Sequence, residues 1–311
     1  MGLDRVFRLA SPTSLRLTLA PLSQGRGDPT TRLTTGGWFR TMRTPDGPAT
    51  LRLHRVGSAA APEVAAIAWG PGAPWALEQA PAICGVEDDI SGMAELAATH
   101  PVVADLWRRM PGLRIPRTGL VLDTLLPTIL GQKVTGVEAK RAWYGLLRDR
   151  SEPAPGPADV VPTGMRVPLD PAEIAGLPGW TLHRYGLERR RAETLIRAAA
   201  AAGRLERCDG VAPAETVRRL RSMPGIGAWT TGEVALVALG DADAVSVGDY
   251  HLKNYVAWAL TARPRGTDEF LIELLAPFAP HRGRVCRLIL HGHPAPPKFG
   301  PRFPGGDIAR L

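Results

Sequence analysis

Residues 223–250 read MPGIGAWTTGEVALVALGDADAVSVGDY, and this stretch decides the fold. Before it, residues 215–221 place apolar side chains at helical spacing, and residues 229–239 repeat that spacing after it. The Pro-Gly-Ile-Gly segment between the two runs, residues 224–227, is a turn. The sequence therefore predicts two short helices joined by a tight turn, a helix-hairpin-helix over residues 215–239.

Two glycines, Gly225 and Gly227, give this turn the chemistry of an anion site. Glycine reaches backbone conformations that a Cβ forbids, and its missing side chain lets backbone N–H groups approach an anion at the start of the next helix. A nucleic-acid phosphate fits such a site without any base being read. An ordinary turn between helices explains the two glycines alone equally well, so the neighbouring residues must decide.

The run PGIGAWT, residues 224–230, followed by Asp249 and Tyr250, resembles the helix-hairpin-helix DNA glycosylase superfamily. The ILGQ segment, residues 129–132, is similar to a helix of its AlkA-type 3-methyladenine DNA glycosylase branch. The resemblance implies an α+β fold, in which a mostly α-helical glycosylase core follows an N-terminal β-rich, TBP-like domain. It also implies a base-excision repair enzyme that flips a damaged base, in our expectation an alkylated purine, out of duplex DNA.

Asp249 is the catalytic candidate that the resemblance implies. Breaking an N-glycosidic bond builds positive charge on the deoxyribose, and a nearby carboxylate stabilises that charge or directs water onto C1′. Asp249 also suits the N-cap of a helix that begins near Tyr250, and both roles are compatible because capping would immobilise the side chain. Asp241 and Asp243 lie in the same loop, but their context fits solvated turn residues better.

Trp229 decides the type of glycosylase that we expect. Superfamily members that also nick the strand carry a Lys at this position, whose amine attacks the sugar. Trp229 cannot form a Schiff base, which leaves water as the nucleophile and implies base excision without AP lyase activity. Its ring is a candidate to stack on an extruded, electron-poor base, although a Trp at this place in a helix is also typical of a core.

The remaining pocket candidates depart from the AlkA-type pattern. Glu233 lies one turn after Trp229, where the branch often has an aromatic residue, and the region around Leu290 is aliphatic. Glu233 and Tyr250 are therefore predicted to line the base pocket together with Trp229, with a solvated Glu233 as the alternative. A pocket with fewer aromatic rings leaves the identity of the damaged base open.

Several residues are candidates for DNA contacts. The hairpin residues are Gly225, Gly227 and Thr230, and the segment after ILGQ supplies Gln132 and Lys133 as candidates to fill the gap left by a flipped base. A helix end with a solvated Lys133 is the alternative.

The resemblance also implies a structural Na⁺ or K⁺ at the hairpin, bound by the backbone carbonyls of Arg221, Met223 and Gly225. No other cofactor is expected. The cysteines, which total 3, fit neither a disulfide framework nor a four-Cys cluster. A net charge of +8 over 311 residues favours a polyanionic partner, which the resemblance specifies as double-stranded DNA containing a damaged base. We expect a monomer that is cytoplasmic and associated with the nucleoid, because the N-terminus lacks a signal pattern.

The chain divides by composition into three predicted regions. Residues 1–90 form the β-rich domain, residues 91–292 the helical core with the catalytic loop 241–250, and residues 293–311 a Pro/Gly-rich tail. Predicted strands cover residues 7–9, 15–19, 38–42, 50–56 and 63–69. Predicted helices cover residues 93–98, 102–109, 120–130, 137–148, 171–175 and 188–202.

Two other functions stay open from the sequence. One is a glycosylase for another modified or bulky base, and the other is a catalytically silent protein that keeps the hairpin only for DNA affinity. Asp249 argues against the second, because an acid beside DNA weakens pure binding. The Arg189-Arg190-Arg191 run and the arginines 282, 284 and 287 fit a solvated helix surface better than phosphate contacts.

Overall fold

The computed structural model describes residues 2–10, 12–58, 61–206 and 212–297. Five antiparallel strands form a single sheet with the spatial order β1-β5-β4-β3-β2. The strands are β1 Leu3–Arg8, β2 Thr31–Thr34, β3 Gly37–Thr44, β4 Gly47–Gly57 and β5 Pro62–Trp69. A turn at residues 44–47 joins β3 to β4, with Thr44 paired to Gly47. The α+β fold class is confirmed.

The helices that follow the sheet account for most of the remaining chain. They are α2 Ala73–Ile83, α3 Met93–Ala98, α4 Pro101–Arg109, α5 Val121–Leu130, α6 Gly136–Arg150, α7 Pro171–Ala175, α8 Arg189–Ala200, α9 Ala202–Leu205, α10 Pro213–Arg221, α11 Ala228–Ala238, α12 Leu252–Thr261, α13 Asp268–Leu275 and α14 Arg282–Gly292. Helix α1, Leu15–Leu19, precedes β2. The predicted helices 93–98 and 171–175 are present with the same ends, and the others are present with ends shifted by one or two residues, except that the predicted helix 188–202 divides into α8 and α9.

One predicted strand is wrong. Residues 15–19 alternate apolar and polar side chains, which is typical of a strand, but they form α1. Ser14 caps this helix by accepting a hydrogen bond from the Leu17 N–H, and Leu19 is buried in the core. The cap and the buried side chain outweigh an alternation that is too short to specify a strand. The sequence pattern also missed β2, which is only four residues long.

Two hydrophobic cores meet along α11. The first core packs the sheet and α2 against α3, α4, α12, α13 and α14, and the second lies among α5, α6, α7, α8 and the hairpin. Leu236 and Val237 enter the first core, whereas Val234 and Ala238 enter the second. Helix α11 is therefore apolar on most of its circumference, and its N-terminal end lies where the two cores meet the surface.

The C-terminal helices pack in the same hydrophobic core as the sheet. Arg284 of α14 is fully buried and donates to both carboxylate oxygens of Asp88 at 2.7 Å. The arginine was predicted to lie on a solvated helix surface, and this is wrong because the paired Asp88 compensates its buried charge. Of the predicted tail, residues 293–297 have no regular structure, and the rest lies outside the described residues. None of the helices in the described part of the chain combines the length and the apolar composition that crossing a membrane requires.

Candidate functional site

The hairpin is formed by α10, residues 222–227 and α11. Gly225 takes the left-handed conformation with φ +91°, and a Cβ on it would lie 2.3 Å from Thr194 Oγ1 of α8. Both the backbone conformation and the close approach of α8 therefore require glycine at Gly225.

Gly227 is a different kind of glycine. It is the N-cap of α11, its φ of −100° is open to any residue, and a Cβ on it would meet no described atom within 4 Å. Gly227 also lacks the side chain that normally caps a helix, so no side-chain acceptor at this position covers the first N–H groups of α11. The fold does not require glycine here, whereas a ligand approaching the helix end would.

Asp249 stands at the start of α12, where its carboxylate is held by three donors. Oδ1 accepts the backbone N–H groups of His251 and Leu252, both at 2.7 Å. Oδ2 accepts the indole N–H of Trp229 at 3.2 Å. The predicted capping role is thus present, and it fixes the carboxylate beside the N-terminal end of α11.

Trp229 is half-buried, so it is not an enclosed core residue. Its ring lies against the end of α5, where a Cβ on Gly131 would come within 3.3 Å of the ring carbon Cη2. One edge of the indole is bonded to Asp249, and part of the ring stays accessible. The side chain therefore joins α5, α11 and the catalytic candidate in one place.

The segment after α5 is joined to the hairpin by Gln132. Its side-chain amide donates to the Gly225 carbonyl and to the Thr230 hydroxyl, both at 2.9 Å. Thr230 itself is buried, so its hydroxyl serves this internal bond. These contacts give Gln132 a role in positioning the hairpin that the sequence did not indicate.

Lys133 is the exposed member of this segment. It has φ +55°, a left-handed conformation that is uncommon for a residue with a Cβ. The preceding helix end is fixed by Arg191, which is buried and donates to the Leu130 carbonyl at 3.1 Å. A solvated surface was predicted for the 189–191 run, and this is wrong for Arg191. The result is an exposed Lys133 projecting from a rigid turn beside the hairpin.

Glu233 lies one turn after Trp229 on α11, and its side chain is half-buried and hydrogen-bonded rather than fully solvated. The hydroxyl of Ser246 donates to Glu233 Oε1, and Arg287 of α14 faces it. Burial raises the pKa of Glu233, the nearby charge of Asp249 raises it further, and the Ser246 hydrogen bond and Arg287 act in the opposite direction. Neither the Ser246 hydrogen bond nor the nearby charge of Arg287 was recognised from the sequence.

Tyr250 points away from this cluster. Its side chain is 77% exposed and contacts only the His251 ring among the aromatic side chains described, at a centroid distance of 5.0 Å. The placement next to Asp249 agrees with the prediction, but a wall of the base pocket made by Tyr250 stays a prediction.

Asp241 and Asp243 have structural partners of their own. Asp243 accepts from the Arg282 guanidinium at 2.8 and 2.5 Å and from the Arg282 backbone N–H at 3.1 Å, which caps α14. Asp241 accepts the backbone N–H of Asp243 at 2.9 Å. These bonds account for both carboxylates and leave Asp249 as the loop acid that faces Trp229.

Two of the three carbonyls predicted to bind a monovalent cation already accept hydrogen bonds. The Gly225 carbonyl accepts from Gln132, and the Met223 carbonyl accepts the N–H of Ile226 at 3.1 Å. A carbonyl has a second lone pair, so these bonds are compatible with a cation, which stays a prediction.

Two surface cavities lie outside the Asp249 site. One, of about 290 Å³, lies on the other face of α11 and is lined by Ala228, Gly232 and Ala235 among others. The other, of about 400 Å³, lies beside α1 and includes His291. His291 accepts from Arg287 at 2.7 Å, and its pKa is lowered to about 4 by burial and by the charge of Arg287.

Structural comparison decides the fold. The chain superposes on a 3-methyladenine DNA glycosylase from Archaeoglobus fulgidus with a TM-score of 0.73 and 17% identity, covering 92% of this chain and 98% of that one. The chain has the helix-hairpin-helix glycosylase fold. Neither the protein-family models nor the curated proteins gave a match to this sequence.

Two further solved structures share this fold. An 8-oxoguanine glycosylase/lyase from Clostridium acetobutylicum, in complex with double-stranded DNA, matches with a TM-score of 0.66 and 12% identity over 93% of this chain and 96% of that one. A 3-methyladenine DNA glycosylase from Schizosaccharomyces pombe, in complex with abasic DNA, matches with a TM-score of 0.52 and 16% identity over 66% of this chain and 97% of that one.

Proposed function

We propose that the protein is a monofunctional DNA glycosylase that hydrolyses the N-glycosidic bond of an alkylated purine in duplex DNA. The observation that carries this proposal is the Asp249 carboxylate, which three donors hold in one orientation beside the start of α11. A preorganised carboxylate stabilises the positive charge that develops on the sugar, because it does not need to reorient during the reaction.

The hairpin supplies the DNA contact in this proposal. A backbone phosphate approaches the open space in front of Gly227 and accepts hydrogen bonds from the first N–H groups of α11, which no side chain of Gly227 caps. The exposed Lys133 lies on the neighbouring turn and enters the gap that the flipped nucleotide leaves, or contacts the backbone there. Both contacts are independent of sequence, as a repair enzyme that searches undamaged DNA requires.

Trp229 supports the proposed absence of lyase chemistry. The solved structures with this fold include a glycosylase/lyase as well as 3-methyladenine glycosylases, so the fold is compatible with either reaction. An indole has no amine that could attack C1′, and the Trp229 N–H is occupied by Asp249. Water is therefore the proposed nucleophile, with Asp249 positioned to direct it.

The test is a panel of duplexes that each carry one lesion, in which free base is separated from DNA and measured. We expect release of alkylated purines by the wild-type protein. A protein that binds every lesion duplex and releases no base from any of them would be a silent binding protein, and the proposal would be wrong. Release of only a non-alkylated base would support the proposed glycosylase activity but would show that the proposed substrate is wrong.

A further inference from the structure

Two acids of the candidate site are attached to the same turn. The backbone carbonyl of Ser246 accepts the Asp249 N–H at 3.1 Å, while the Ser246 hydroxyl donates to Glu233. Glu233 lies four residues after Trp229, on the face of α11 whose indole bonds Asp249. One serine and one tryptophan thus hold both carboxyl groups on the same side of α11.

The surroundings of the two acids differ. Asp249 is half-buried at a helix start, where it accepts three N–H groups. Glu233 accepts one hydroxyl, lies half-buried on the same face of α11 as Trp229, and its pKa is raised by burial and by the charge of Asp249. Pairs of acids with environments that differ in this sense divide the roles of proton donor and charged group.

We propose that Glu233 is a second catalytic residue, the general acid that protonates the leaving base. This inference rests on the proposed glycosylase function and extends it from cationic to neutral purines. A cationic base can leave without being protonated. A neutral purine would leave as an anion and is a poor leaving group unless one of its ring nitrogens is protonated. Because Ser246 occupies Oε1, the proton sits on the other oxygen of Glu233.

A proton moves from the Glu233 carboxyl to a ring nitrogen of the purine as the C1′–N bond breaks and its electron pair goes to the base. Water adds its oxygen to C1′ and gives a proton to Asp249. Asp249 then releases this proton to solvent and Glu233 takes one up, which restores both acids. The products are the free base and an abasic site.

Charged and titratable groups on the neighbouring elements determine the pH range over which Glu233 keeps its proton. Arg287 on α14 lowers the pKa of Glu233, and His291 accepts a hydrogen bond from that guanidinium. Cys286, also on α14, has its pKa raised, chiefly by burial, and stays a thiol. Asp249 on the catalytic loop is the remaining charge. Only Glu233 among them combines a raised carboxyl pKa with a place on the Trp229 face of α11.

The experiment compares neutral lesions, hypoxanthine and 1,N6-ethenoadenine, with the cationic lesion 7-methylguanine under single-turnover conditions. Glu233→Gln keeps an oxygen for Ser246 but has no acidic proton. We expect it to slow release of the neutral purines by about a hundredfold or more and release of 7-methylguanine by less than about threefold. Glu273→Gln, which changes an exposed residue of α13, is the matched control and is expected to change neither rate.

A second measurement needs no variant. For the wild-type protein, release of a neutral purine should fall with rising pH once Glu233 loses its proton, whereas release of 7-methylguanine should not follow that titration. Equal loss on both lesion classes, no loss on either, or a wild-type protein that releases 7-methylguanine and no neutral purine would each overturn the inference. Failure to release any base would instead contradict the proposed function itself.

Discussion

Replacing Asp249 by Asn separates its two roles, because Asn is also a good capping residue. The side-chain oxygen of Asn can still accept the N–H groups of His251 and Leu252, which Oδ1 accepts at 2.7 Å in the wild-type protein. Its amide nitrogen then faces the indole N–H of Trp229, so the bond at 3.2 Å is lost. We expect the free energy of unfolding to fall by about 1 kcal/mol.

The effect on catalysis is expected to be much larger. Loss of a preorganised charge of this kind raises the activation free energy by about 3 kcal/mol, which corresponds to a rate reduced by more than a hundredfold. The assay is single-turnover base release from a lesion duplex, with lesion-duplex affinity and thermal unfolding measured on the same preparation. Affinity should stay near that of the wild-type protein, since the hairpin is unchanged.

Trp229→Phe is the matched control for this prediction. It removes the indole donor to Asp249 while it keeps both an aromatic ring and the carboxylate charge. Its stability should fall by a similar amount, but excision should fall much less than in Asp249→Asn. Near-normal excision by Asp249→Asn would refute the electrostatic role. Equal losses in the two variants would show that orientation, not charge, is what Asp249 needs.

Three further predictions concern the hairpin and the core. Gly227→Val should weaken binding to damaged and undamaged duplex alike, by about tenfold or more, with little change in melting temperature, as measured by fluorescence anisotropy and thermal unfolding; an altered lesion preference alone would contradict the phosphate site. Gly225→Ala should instead destabilise the fold by roughly 1–3 kcal/mol, because its φ is +91° and Thr194 leaves no room for a Cβ. Glu206, which accepts the N–H groups of Val121 and Leu122, has its pKa raised to about 7, chiefly by burial. Folding thus favours the protonated form of Glu206, and the stability that it contributes should be lost as the pH rises from about 4.5 through 7. Glu206→Gln should remove this pH dependence of the free energy of unfolding, as measured by chemical denaturation.

Local sequence signals predicted most of the fold. The strands β3, β4 and β5 are long and flanked by turn residues, and the helices carry regular apolar repeats, so their patterns are unambiguous. The prediction for residues 15–19 was wrong because five alternating residues fit a strand and a helix equally well. Only the Ser14 cap and the packing of Leu19 decide in favour of α1.

Only those site residues whose roles follow from the local sequence could be predicted. Asp249 and the hairpin glycines could be proposed as site residues because their predicted roles follow from position in the sequence and from the resemblance. The Ser246–Glu233 bond and the burial of Arg191 and Arg284 depend on contacts between distant segments. A run of charged residues carries no signal that distinguishes a solvated arginine from one that bonds carbonyls in a core.

The most direct test of the account is product analysis of one reaction with wild-type protein and an alkylated duplex, in which free base and strand breaks are counted together. We predict one free base for each abasic strand, breaks only after alkali or heat, and no protein–DNA adduct after borohydride. A borohydride-trapped adduct with strand breaks before alkali would contradict the account. It would show that an amine, such as that of the exposed Lys133, attacks the sugar in place of water.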